Sequence, residues 1–268
     1  MRARLLVAYD GTGFRGFAQN EGVRTVMGVL TDAVSLVVRQ PVDLTGAGRT
    51  DAGVHAWGQV VSGELPEGTD LDGLVRRLNK LCAPDVAVRS AEWTHAQFDA
   101  RFSARWRHYR YDVWNGPTPN PLIVDRAWWV AQPLDLDLMN AAAGPLAGEH
   151  DFASFCRRVK VGDDQPEKSL VRNVISTVWS RVDDPCGAEA TPRAGSAPQT
   201  PALLRFEIRA NAFCHQMVRS ITGTLVDVGT GKIAPDALRG ILEARSREAA
   251  GQVAPPHGLT LWEVGYPQ

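Results

Sequence analysis

Residues 204–210 alternate without a break. Leu204, Phe206, Ile208 and Ala210 fall on one side, and Arg205, Glu207 and Arg209 on the other. A period of two is that of an extended strand, and such a strand rests only in a sheet with one face on a core and the other toward water. The same reading predicts strands over residues 2–9, 107–114, 127–130 and 260–264, and one over 173–182 in which Val174, Val178 and Val182 share a face. On the strand at 107–114 it puts Arg107, Tyr109 and Tyr111 together.

Between these runs the period lengthens to that of a helix. Val26, Val29, Leu30, Ala33, Val34 and Val37 predict a helix over 25–38, with Thr25 as its N-cap. Leu71, Leu74, Val75, Leu78 and Leu81 predict another over 70–81, stopped by Pro84 before a strand beginning at Val86. A weaker helix over 136–147 is interrupted at Gly144-Pro145. A long one over 212–228 carries Phe213, Met217, Ile221 and Leu225 in one stripe and ends at Gly229 and Gly231, and a short one starts at Pro235. Strands interspersed with helices in this way predict an α+β chain. The stretch 183–201, dense in Pro, Ala, Gly, Ser and Thr, reads as a flexible hairpin insertion. The expected division is 1–103 and 104–268.

At 268 residues the chain can form two modest domains or one large one, and 44% hydrophobic with 22% charged residues is an ordinary globular composition. No apolar run approaches the roughly 20 residues of a membrane helix. The first apolar stretch meets Asp10 too early for a secretory leader. A cytoplasmic protein without membrane association is expected. Cys82, Cys156, Cys186 and Cys214 lie far apart in sequence, so free thiols are expected, with neither disulfide nor metal. Gly11-x-Gly13-x-x-Gly16 matches the dinucleotide fingerprint formally, but the helix that should open at its glycines starts only near Thr25. No nicotinamide or flavin site, and no cofactor, is expected.

The net charge of −1 cuts against a nucleic-acid substrate, since nucleic-acid binders often carry a clear basic excess. Phosphate contacts depend on where cations lie and not on their sum. Arg101, Arg105, Arg107 and Arg110 are interleaved with Phe102, Trp106, His108, Tyr109 and Tyr111, a combination suited to holding a backbone and stacking a base. A smaller cluster is Arg157-Arg158-Lys160.

Chemistry concentrates in Gly46-Ala47-Gly48-Arg49-Thr50-Asp51-Ala52-Gly53-Val54-His55, a glycine-rich loop displaying a cation and a carboxylate ahead of a strand-like run. With Ala56-Trp57-Gly58-Gln59-Val60 it resembles the signature of the A-type tRNA pseudouridine synthases, which isomerise uridine in the anticodon arm. Three further stretches resemble that family's motifs in its order: Tyr9-Asp10-Gly11-Thr12-Gly13-Phe14-Arg15-Gly16-Phe17; Phe98-Asp99-Ala100-Arg101-Phe102-Ser103-Ala104 followed by Arg107-His108-Tyr109-Arg110-Tyr111; and Ala210-Asn211-Ala212-Phe213-Cys214-His215-Gln216-Met217-Val218-Arg219.

The resemblance implies two ferredoxin-like halves sharing an extended antiparallel sheet, with helices on one side and a central cleft. It implies a homodimer acting on tRNA around positions 38–40, with Asp51 as catalytic nucleophile. Tyr109 would stack on the target base, Arg219 would keep the carboxylate ionised, and Arg49 would contact phosphate or prise the nucleotide from its stem. Whether the carboxylate attacks the base or the sugar, or removes a proton, is left open, and His55 is read as a brace. Departures from the common pattern are Phe17 for Trp, Met27 for Gln, Asp99 for His and Thr260 for Tyr. A non-catalytic RNA-binding module of ferredoxin-like fold is the alternative. An aspartate-dependent hydrolase ranks below it, because the loop offers no second acid.

Overall fold

A computed structural model describes residues 1–157, 169–182 and 201–267. It divides into two compact units, Met1–His108 with Thr260–Gln268, and Tyr109–Leu259. The chain is α+β, and most of its strand pairings are antiparallel.

In the first unit the central strand is β1 (Arg2–Tyr9), which buries Ala3, Leu5 and Val7 completely. It pairs antiparallel with β3 (His55–Glu64) on one side and β4 (Val86–Trp93) on the other. A short strand the periodicity did not announce, β2 (Leu44–Gly46), pairs with the far end of β3. The C-terminal β10 (Leu259–Gly265) runs parallel to β3, with Thr260 opposite His55.

Helix α1 (Val26–Val38) begins where Thr25 accepts a hydrogen bond from the Gly28 N–H at 3.2 Å. It buries Val26, Met27, Leu30, Ala33 and Val34. Helix α2 (Leu71–Leu81) is capped by Asp70 and buries Leu74 and Leu78. Residues 11–25 form turns rather than a helix, so no helix opens at the fingerprint glycines.

The second unit takes most of β5 (Trp106–Asn115), against which β6 (Trp128–Val130) lies parallel. Its strands β7 (Gly148–Asp151), β8 (Val171–Val182) and β9 (Ala202–Ala210) continue in the order β5-β9-β8-β7. Leu204, Phe206, Ile208 and Ala210 are buried, as their alternation requires, and Trp179 of β8 stacks on Phe206 at 5.1 Å. Helix α3 (Leu136–Ala143) gives way to a 3-10 turn at Gly144–Leu146; α4 (Met217–Gly229) and α5 (Ala237–Ala244) follow.

Three expectations are corrected here. Val174 is buried but Val178 is 44% exposed, because a register shift between Val174 and Ser176 turns the rest of β8 over. Helix α4 starts at Met217 rather than 212. The intervening residues form a loop in which the Asn211 carboxamide accepts from the Asn173 and Ala212 N–H groups, and Gln216 turns left-handed at φ +64°. Such local side-chain bonds compete with helix. Cys156 and Cys214, read as free thiols, are joined in a disulfide with Cα atoms 5.8 Å apart, while Cys82 is free. Spacing could not show this, since the partners are 58 residues apart. Cys186, the 183–201 insertion up to residue 200, and Arg158 and Lys160 lie outside the described residues.

Candidate active site

The Asp51 loop spans the connection from β2 to β3, and the opening motif of the chain holds it from beneath. The Tyr9 hydroxyl and Thr50 Oγ1 share a buried hydrogen bond of 2.8 Å. Gln59 Nε2 donates to the Gly48 carbonyl at 2.8 Å and, more loosely, to the Tyr9 oxygen at 3.4 Å. The Phe17 N–H donates to the Thr50 carbonyl, and the Val54 N–H closes a turn on the Asp51 carbonyl. Two glycines are required by close approach. A Cβ on Gly11 would lie 2.0 Å from the Val54 carbonyl oxygen, and one on Gly46 would lie 2.3 Å from the Phe17 ring. The first and second motifs of the sequence are therefore one packed object.

The consequence for side chains is an alternation across three residues. Thr50 is buried, anchoring the turn, while Arg49 is exposed and Asp51 half-buried on either side of it. Arg49 has no carboxylate partner among the described residues. His55 is the brace it was read to be. Its Nδ1 accepts from the Gly11 N–H at 3.1 Å and lies 3.2 Å from an Asp10 carboxylate oxygen. Burial pushes the Tyr9 hydroxyl up to about 12, against the smaller opposing effect of its bonds to Thr50 and Gln59.

The departures from the family pattern also have local accounts. Phe17 stacks on Tyr9 at 6.0 Å, and Met27 is buried near Gly46. Asp99 accepts from the N–H groups of Arg101 and Phe102, each at 2.8 Å.

The arginine cluster separates into two kinds. Arg107, counted with the RNA-facing cations in the sequence, donates to the carbonyls of Ala47, Arg101 and Ala104, so it braces loops. Arg110 pairs with Glu207 at 2.7 Å. Arg101 and Arg105 are exposed.

Tyr109 and Arg219 belong to the second unit. Tyr109 is buried on β5 and meets the Phe213 ring edge-on at 5.0 Å. Arg219, on α4, donates from Nε to the Ala254 carbonyl at 2.8 Å. Tyr111 is fully buried, and its hydroxyl donates to the Pro255 carbonyl at 2.7 Å. Burial raises the Tyr111 hydroxyl far above its ordinary value, while the positive charge of Arg219 pulls the other way. Among the described residues no group of three His, Cys, Asp or Glu side chains could hold a metal ion.

Sequence reasoning marked Asp51 and missed its supports. Tyr9, Thr50 and Gln59 stand in the quoted motifs, but their role as supports carries no signal there, since it exists only once the fold brings them together.

Comparison with known proteins places these features in context. A family model described as tRNA pseudouridine synthase matches residues 5–103 and 142–267. The chain is 40% identical over 269 residues to a protein of Cutibacterium acnes named tRNA pseudouridine synthase A, covering 99% of this chain and 89% of that one. Proteins of the same name from Bacillus pumilus (38% over 268 residues, 99% of each chain) and Streptomyces griseus (40% over 273 residues, 100% of this chain and 88% of that one) are similarly related.

Proposed function

Since this chain belongs to the tRNA pseudouridine synthase family, we propose that Asp51 is the catalytic nucleophile of an isomerase converting uridine to pseudouridine in the anticodon arm of tRNA, around positions 38–40. The isomerisation breaks a glycosidic bond, turns the base and rejoins it through carbon. No group is gained or lost and nothing is oxidised, so a protein nucleophile can divide the change into two easier steps. The observation that carries this reading is the Asp51 loop itself. Phe17 and Gln59 hold its backbone, Tyr9 bonds the Thr50 hydroxyl and Gly11 packs against Val54, leaving a half-buried carboxylate beside an exposed arginine.

The other assignments belong to the same proposal. Arg49 contacts phosphate and helps draw the target nucleotide out of its stem. Tyr109 stacks on the base, and Arg219 is a further substrate-binding residue. The protein works as a homodimer in the cytoplasm; no helix among the described residues is long and apolar enough to cross a membrane.

The test is incubation of the full chain with unmodified tRNA, followed by mapping of pseudouridine. Product should appear in the anticodon arm and vanish in Asp51→Asn, while Asp51→Asn still binds tRNA. Undiminished product from that variant would reject the nucleophile, and no product from the parent would reject the anticodon-arm activity. Family membership favours the isomerase over the non-catalytic RNA-binding module, which predicts binding without product.

A further inference from the structure

Phe102 is 79% exposed, more than any other large hydrophobic side chain among the described residues. It stands at the tip of the loop over residues 98–104, and that loop is tightly held. The Asp99 carboxylate accepts from the N–H groups of Arg101 and Phe102, and the Asp99 N–H donates to Ser103 Oγ at 3.1 Å. The Ala100 N–H donates to Ser62 Oγ at 3.0 Å, and its carbonyl accepts from the Tyr266 hydroxyl at 2.7 Å. Arg2 lies 3.8 Å from Asp99, so the carboxylate at the base of the loop has a balancing cation. An exposed apolar ring on a pinned backbone has little ordering left to lose when something covers it.

The neighbouring charges say what could cover it. The Arg101 guanidinium lies 5.2 Å from the centre of the Phe102 ring. Arg101 and Arg105 are both exposed, and neither side chain has a carboxylate partner among the described residues. The mounting of this corner ties it to the Asp51 loop, since Arg107 Nη2 donates both to the Arg101 carbonyl at 2.8 Å and to the Ala47 carbonyl at 2.9 Å. One guanidinium thus fixes the spacing between the exposed ring and the loop carrying Arg49 and Asp51, all within the first unit.

We propose that Phe102 and Arg101 form a stacking platform for an unpaired base of the RNA substrate, Phe102 covering the ring of the base and Arg101 engaging its phosphate. The proposal rests on the reading of this chain as an enzyme acting on tRNA. The occupant is an unpaired nucleotide because an aromatic face stacks on a base released from its helix, whereas paired bases already cover one another. The unpartnered cations select a polyanion over an apolar protein surface.

The experiment measures binding of the full chain to a fluorescently labelled, unmodified tRNA transcript at several salt concentrations. Phe102→Ala should weaken binding about tenfold, the loss expected when one base–aromatic stack is removed. Phe102→Trp should restore it. Phe102→Leu, which keeps an apolar side chain without a π-face, should behave like Phe102→Ala. Arg101→Ala should lower the slope of log affinity against log salt by about one. Binding by Phe102→Ala or Phe102→Leu within twofold of the parent would overturn the platform.

Parallel mapping of pseudouridine separates this idea from the one beneath it. A parent that isomerises tRNA, with Phe102→Ala binding equally well, sinks the platform alone. A parent that makes no product, with binding still lost in Phe102→Ala and Phe102→Leu, leaves the platform standing and sinks the activity.

Discussion

A phenol deprived of water ionises late, and Tyr9 is such a phenol, 5% exposed beneath the turn carrying Arg49 and Asp51. In the unfolded chain it titrates near 10; in the fold burial takes it to about 12. Below about pH 10 both states keep the proton and the full native stability is present. Between about 10 and 12 the unfolded chain releases its proton first, so stability falls as pH rises. Tyr111 and Tyr266, raised chiefly by burial, act in the same direction. The midpoint of thermal unfolding should therefore drop across this interval, and Tyr9→Phe should flatten part of the drop. At neutral pH the same variant should cost about 1 kcal/mol for the lost hydrogen bond. It should also slow pseudouridine formation, because Thr50 loses its anchor. An alkaline decline unchanged in Tyr9→Phe would show that Tyr9 is not the group responsible.

At the scale of elements, α1 offers the cleanest test. Its first turn is satisfied by the Thr25 hydroxyl accepting from Gly28, and α1 carries no acidic residue in its first turn to share that work. Thr25→Ala should cost about 1 kcal/mol in a denaturant titration, while Thr25→Ser should cost little. This cap and the helix behind it were legible in the sequence because both depend on neighbours within a few residues. The same holds for α2 and for the alternation of β9. The start of α4 was not legible. Phe213 has helical spacing to Met217, yet the chain there is held by Asn211, by the left-handed Gln216 and by the link from Cys214 to Cys156. The two faces of β8 were misread for a related reason. A register shift is settled by the partner strand, and no periodicity within 173–182 records it.

For the whole molecule, the Cys156–Cys214 disulfide closes a loop of 58 residues. Cross-links over such spans typically stabilise by about 2–4 kcal/mol. Reductant should lower the unfolding midpoint of protein purified in air. Cytoplasmic thiols are kept reduced, so the proposed location makes a separate prediction. Peptide maps of cells lysed directly into alkylating reagent should show Cys156 and Cys214 alkylated, and the linked peptide should appear only after exposure to an oxidant. A linked peptide recovered from freshly alkylated cells would argue against that location.

The sequence by itself determined the α+β character, the helices α1 and α2, the strands with an unbroken alternation, and the loop that presents Asp51, since each is written in short-range spacing and in residues with special backbone freedom. Only the tertiary structure decided that Tyr9, Gly11, Phe17 and Gln59 hold that loop, that Arg107 is a brace and not a free cation, and that Cys156 meets Cys214. The physical reason is range. A cap or an amphipathic face is fixed by residues a turn apart, whereas a hydrogen bond between residues 41 or 60 positions apart exists only once the chain has folded around it.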